Sequence, residues 1–273
     1  MAMTAITAQH AGGVNVPLTP VRRYGTSQVL RSEWLKLRTL RSTKWTMSVM
    51  IVGGLLVTFL ATNSVNKSSN FAGFDATNQA LSGLALGSLA IGILGVLAIC
   101  GEYGSGTIRN SLSATPRRPL FLVGKVAVVG GVALVIGEIL TFACFFLGQA
   151  VMHGQVPTAT LGHHGTLQAI LLSGAYLALL GLLGLGLGFI IRHTAGAIAA
   201  FVGATFLLTA VLQPLQNDGD PSKYAPIQML ANSVSTTVHN NQALTPVTAF
   251  LWMTFYTLAV LTIAAVVFRR RDA

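Results

Sequence analysis

One acid lies deep inside an apolar run. Glu138 sits among Val, Leu, Ile, Gly and Phe, and Thr141, Phe142, Phe145 and Gln149 recur beside it at helical spacing. A charge at mid-membrane depth costs ~2.5–3.5 kcal/mol on insertion scales, so the group must face protein or water, or carry a proton. Two readings stand together. The mixed polar and aromatic stripe lines a passage for an amphipathic or cationic solute, or Glu138 is a neutral carboxyl hydrogen-bonded between helices.

The remaining reactive side chains form no catalytic set. Cys100 and Cys144 lie in or at the end of apolar runs and read as packing residues, neither a metal pair nor a disulfide. His153, His163 and His164 are clustered, but their spacing fits no closed metal motif, and they read as solvated loop residues. No glycine-rich loop ends in Gly-Lys-Ser/Thr, and no His-Glu-x-x-His occurs. "GLLGLGLGF" lies within an apolar run and lacks the strand–turn–helix setting of a dinucleotide site. The expectation is a non-enzyme that binds no metal and no cofactor of its own.

A different kind of chemistry is suggested by "GEYGSGTIRNSLSATPRR", which interrupts the apolar sequence from Gly101. Gly104 and Gly106 permit a sharp turn, Ser105 or Thr107 can cap a short helix over Ile108 to Ala114, and Pro116 ends it. A compact ordered element of this kind suits docking better than catalysis.

The elements that must position these residues follow from composition. The chain has 273 residues, is 52% hydrophobic and only 9% charged, with mean hydropathy +0.67. So little charge cannot coat a water-exposed surface. The apolar runs are continuous rather than alternating, and each is long enough to cross a bilayer as a helix. Six spans are predicted: Trp45 to Ala61, Leu81 to Cys100, Val123 to Met152, Leu167 to Ile191, Ala195 to Leu212 and Val247 to Phe268. Residues 1–28 read as a flexible cytoplasmic tail without a cleavable signal peptide, and residues 29–273 as a single membrane domain. The fold class is an all-α polytopic membrane protein.

Fifteen of the 17 Lys and Arg residues fall on one side of these spans. The bias predicts both termini in the cytoplasm of a multi-pass cell-membrane protein. The net charge of +10 therefore reflects topology and contact with membrane lipid rather than nucleic acid. Before the first span, Val29, Leu30, Trp34, Leu37 and Leu40 share one arc flanked by Arg31, Lys36 and Arg38, the pattern of an interfacial helix. Gly83 with Gly87, and Gly184 with Gly188, have the spacing of close helix packing, within the bundle or across a dimer. Ile227, Leu230, Ala231 and Val234 predict a short amphipathic helix in the long last external loop.

Glu-Tyr-x-x-Gly-Thr-Ile-Arg from Glu102, the following Pro-Arg-Arg, and Gly124-Lys125 opening the third span resemble the membrane subunits of type-2 ABC exporters. "SEWLKLRTLRSTKW" looks like the same family's connecting helix. The resemblance spans the six-helix layout. It implies a permease driven by ATP hydrolysis on a separate ATP-binding subunit, which holds the ATP and Mg, and a second permease copy or related chain. It also implies a coupling helix between spans two and three, with Glu102, Tyr103, Gly106, Thr107, Ile108 and Arg109 as the coupling region. Ile108 is expected as an apolar anchor in the ATPase cleft, and Glu102 as a brace paired with a basic neighbour. An ion-coupled carrier would want more buried acids and broken helices than Glu138 alone provides. A non-transporting scaffold or sensor would explain the docking loop without a lined path.

Overall fold

The computed structural model describes residues 25–65, 74–114, 118–154, 156–212, 221–236 and 244–270. Among them there is no strand. The helices are α1 (Thr26–Thr39), α2 (Arg41–Asn63), α3 (Ala76–Ala80), α4 (Leu84–Gly104), α5 (Thr107–Ala114), α6 (Arg118–Met152), α7 (Thr166–Ile191), α8 (Thr194–Val202), α9 (Leu208–Leu212), α10 (Pro226–Val234) and α11 (Pro246–Arg270). A π-helical turn, Gly203–Leu207, joins α8 to α9, so the fifth span is one rod with a widened turn. Six helices or helix runs are long and apolar enough to cross a membrane: α2, α4, α6, α7, α8–α9 and α11. The predicted spans lie within these limits but for the first residues of the second. Residues 1–24 of the expected tail, together with Pro116, Arg117 and residues 213–220, lie outside the described residues; Thr26 to Gln28 already belong to α1.

The core is built on α4 and α7, the two most buried spans. Their contact depends on missing side chains. A Cβ at Gly184 would strike the Gly92 carbonyl, and one at Gly95 the Gly181 carbonyl. A third approach, Gly83 on Gly54, brings α2 against α4. The backbones come close because no side chain stands between them. The predicted glycine pairs therefore act within the chain. Around this centre α6 packs on α7 and α2, and α11 on α7. The outer helices turn apolar side chains outward, including Val52 and Leu56 of α2, Leu207 and Val211 of the fifth span, and Leu251 and Phe255 of α11.

Six spans put α1, α5 and the end of α11 on one face, here the basic face, and α3 and α10 on the other. Asp75 caps α3 by accepting from the Thr77 and Asn78 amides at 3.0 and 2.9 Å, and also accepts from the Thr236 amide at 2.7 Å, tying two loops of that opposite face together. The predicted amphipathic helix is α10, turned slightly: Met229, Leu230, Ser233 and Val234 are buried while Ala231 is exposed. The Tyr176 hydroxyl donates to the Pro226 carbonyl at 2.6 Å and fixes that orientation.

Candidate functional site

Helix α1 lays Val29, Glu33 and Leu37 against the bundle. Their i, i+4, i+8 spacing makes one stripe, and its middle member is an acid. The helix reaches α6 closely because residue 124 is glycine: a Cβ there would come within 2.8 Å of Val29 Cγ1. The predicted arc is therefore divided between two faces of α1. Leu30, Trp34 and Leu40 are 39%, 49% and 43% exposed, while Val29 and Leu37 face inward with Glu33. An acid wins the inward face because a buried cation waits for it.

That cation is Lys125, in the second turn of α6 and almost fully buried. Its ammonium lies 2.7 Å from Glu33, 2.7 Å from Glu102 at the end of α4, and 3.1 Å from the Ala98 carbonyl, to which it donates. Lys36 closes the ring. Its Nζ donates to Glu33 at 2.7 Å, to Glu102 at 3.1 Å and to the Ser111 hydroxyl of α5 at 3.0 Å. Each lysine thus touches both glutamates. Two positive and two negative charges alternate, and every ammonium has three acceptors, as burial of charge requires. Burial alone would lower the Lys36 pKa, but the hydrogen bond to Glu33 and the charge of Glu102 outweigh it and hold the group above the usual lysine value. Phe121 lies under both cations, 5.5 Å from Lys36 and 5.3 Å from Lys125. It stacks at 6.0 Å on Phe268 of α11.

The network joins four elements at one point: α1, the end of α4, α5 and the start of α6. The expected brace for Glu102 is therefore present, with Lys125 and Lys36 as its partners. Tyr103 adds a fifth element. The Arg192 guanidinium lies 5.2 Å over its ring, reached from the turn that ends α7, where Arg192 adopts φ 60°.

Gly106 makes the turn into α5 with φ 70°, whereas Gly104 is still helical. The Thr107 hydroxyl sits 2.9 Å from that of Ser105, and Thr107, Arg109, Asn110 and Ser113 are exposed. Ile108 is not. It is 3% exposed and packs into the chain's own core. The apolar residue expected to anchor a partner instead anchors α5 to the bundle, since an amphipathic helix pinned through Ser111 turns its apolar side upward and leaves a polar surface outward.

The Glu138 stripe is divided among other tasks. The Thr141 hydroxyl donates to the Gly137 carbonyl at 2.7 Å, and Phe145 is buried in the core. Gln149 donates to the Ala76 carbonyl at 3.3 Å and accepts from the Ala159 amide at 2.9 Å, so it holds loops of the opposite face. Phe142 stacks on Phe146 at 6.4 Å. Glu138 itself is half-buried against Gly174, and its Oε2 has no hydrogen-bond partner among the described residues.

Glu33, Lys36 and Lys125 were missed as site residues. The signal for Glu33 was its place midway between Val29 and Leu37; for Lys125 it was a cation inside an apolar run. Among the described residues, no group of three His, Cys, Asp or Glu side chains is placed to hold a metal ion. A family model described as "ABC-2 family transporter protein" matches residues 29–211, from the inward face of α1 to the end of the fifth span, and all four charges of the network lie inside it. A search of curated proteins gives no match.

Proposed function

The chain belongs to the ABC-2 transporter family, and from that premise we propose that it is the permease subunit of an exporter driven by ATP hydrolysis on a separate subunit. The observation that carries this reading is α5, a short helix with a polar outer face, fastened by one ion network to the connecting helix and to two spans. A force applied to α5 by a docked ATPase would reach α1, α4 and α6 together through Lys36, Glu102 and Lys125. ATP and Mg belong to that partner. The outer face of α5, with Thr107, Arg109, Asn110 and Ser113, is the docking surface. Ile108 supports it from behind, and Glu102, Tyr103 and Gly106 fix its position.

On this reading the basic face is cytoplasmic, both termini lie inside, and the protein resides in the cell membrane. A second permease chain, identical or related, completes the path. The outward apolar faces of α2 and of the fifth span are compatible with a seam there. Glu138, whose Oε2 has no hydrogen-bond partner among the described residues, is the side chain through which a solute would be sensed.

The test is affinity purification of the tagged full chain from its native membranes. A P-loop ATPase should travel with it and hydrolyse ATP in the complex. Purification without such a subunit, from membranes that retain transport, would refute the proposal.

A further inference from the structure

On the flank of α1 away from the ion network, a cavity of about 580 Å³ opens between α1, the beginning of α2 and α6. Its origin is local. Leu40 is extended, at φ −66° and ψ 126°, so α1 and α2 meet at a corner instead of continuing as one rod. Met47, Val128 and Val132 contribute to an apolar wall. Gly131 leaves the wall hollow: a Cβ built there meets nothing within 4 Å. This glycine differs from those between α4 and α7, because no backbone occupies the space it vacates.

The residues that line the cavity toward the basic face have a different character. Arg38 from the last turn of α1 and Lys44 from the first turn of α2 line it, and both are exposed. Trp34 stands beside them with half its surface free. Cations at one end, an indole next to them and an apolar recess behind reproduce the order of a membrane leaflet from headgroup to chain. The height agrees, since Lys44 opens a membrane span. A free anion would leave the apolar recess unfilled, and a plain hydrocarbon would leave both cations unused. The volume is within the ~300–1,000 Å³ of small-molecule sites, enough for a lipid tail but not for a whole phospholipid.

We propose that this cavity is a binding site for one anionic phospholipid of the leaflet on the basic face, with an acyl chain against Gly131 and the phosphate between Arg38 and Lys44. The site shares Leu37 with the inward stripe of α1. A lipid held there would wedge the corner between α1 and α2 and fix α1 against α6. The inference does not depend on export or on an ATPase. It needs only a chain that spans a membrane.

Trp34 provides the probe. In the full-length protein with Trp45→Phe and Trp252→Phe, Trp34 is the remaining tryptophan. Reconstitution into vesicles containing brominated phosphatidylglycerol or brominated phosphatidylcholine, each titrated against unlabelled phosphatidylcholine, reports which lipid occupies the site. Phosphatidylglycerol should quench at much lower mole fraction. Each cation near an anionic headgroup contributes roughly fivefold, so Arg38→Gln with Lys44→Gln should reduce the preference by roughly thirtyfold. Gly131→Leu should fill the recess and abolish the preference while leaving both cations in place. The paired exposed substitutions leave the core intact, so they test the site even where Gly131→Leu lowers yield. Equal quenching by the two lipids in the parent protein would overturn the proposal. A preference that survives the loss of both cations would also overturn it, as would competition by glycerol phosphate as effective as by the whole lipid.

Discussion

Replacing Lys125 with methionine removes one corner of the alternating ring and leaves its shape nearly filled. The ammonium lies 2.7 Å from each of two carboxylates, and the Lys125 side chain is only 3% exposed. Without it, Glu33 and Glu102 share Lys36 alone, and one buried negative charge is uncompensated. Breaking a buried pair by removing one partner costs about 3–5 kcal/mol, since the charge left behind keeps its desolvation penalty. Glu33→Leu has the opposite imbalance. It leaves Lys125 with Glu102 and the Ala98 carbonyl, and the ring with one positive charge in excess. Combining Lys125→Met with Glu33→Leu leaves Lys36 and Glu102, a neutral pair 3.1 Å apart. The double variant should therefore be more stable than the sum of the singles requires, by about 1–3 kcal/mol, within the range of coupling for residues in one network. Lys36→Met should cost less than Lys125→Met, because the Lys36 side chain is 35% exposed and water replaces part of what it loses.

The chain contains its own reporter for this experiment. Cys100 and Cys144 are free and buried, so a thiol-reactive fluorophore labels them as the bundle opens. Midpoints of detergent or thermal unfolding for the parent, both singles and the double give the cycle directly. Additivity to within about 0.5 kcal/mol would refute the reasoning, because four charges acting as a unit cannot lose two corners independently.

Other outcomes follow from the same geometry. Ile108→Asp should lower folded yield by placing a carboxylate in the core, whereas Arg109→Glu on the exposed face of α5 should leave the unfolding midpoint unchanged and release the ATPase; the reverse pattern would return Ile108 to the docking surface. Cysteines placed at His164 and Ser113, both exposed, test orientation: an impermeant label added outside cells should reach the first and spare the second. Glu138→Gln should retain full folded yield, since Oε2 has no partner to lose, and should lower transport per molecule. Unchanged transport would leave Glu138 a packing residue.

The spans were legible because hydropathy over some twenty residues is a long, redundant signal. What it misjudges is the ends: α6 begins at Arg118, five residues before the predicted start at Val123, because Leu120, Phe121 and Leu122 already belong to the apolar run. The π-helical turn at Gly203–Leu207 left no mark in the sequence. Its wider hydrogen bonding changes the backbone while keeping ordinary apolar side chains, and the Thr205 hydroxyl bonding the Phe201 carbonyl at 2.7 Å is the same i−4 bond that Thr141 and Ser173 make in regular helices.

The site is harder to read for a more specific reason. Positive-inside counting treats every Lys and Arg as a solvated charge held at one surface. Lys36 and Lys125 were counted that way, and the count is insensitive to the error, since removing both leaves the asymmetry intact. Yet Lys125 has left the solvent and Lys36 has partly left it, both for buried carboxylates. The distinction is encoded in opposite charges far apart in the sequence: Glu102 is 66 residues from Lys36 and 23 from Lys125. Only Glu33 with Lys36 falls within one helical turn; the pairings that close the ring lie outside any local window. The same long-range closure decides Ile108. An apolar residue in a polar loop can face a partner or its own bundle, and the choice rests on how α5 is rolled beneath α4. Here Ser111, three residues on and thus on nearly the same helical face, is drawn to Lys36, so Ile108 must turn inward with it. The element that looks most like a contact surface in the sequence is therefore half a buried joint, and its exposed half is left to Arg109 and Asn110.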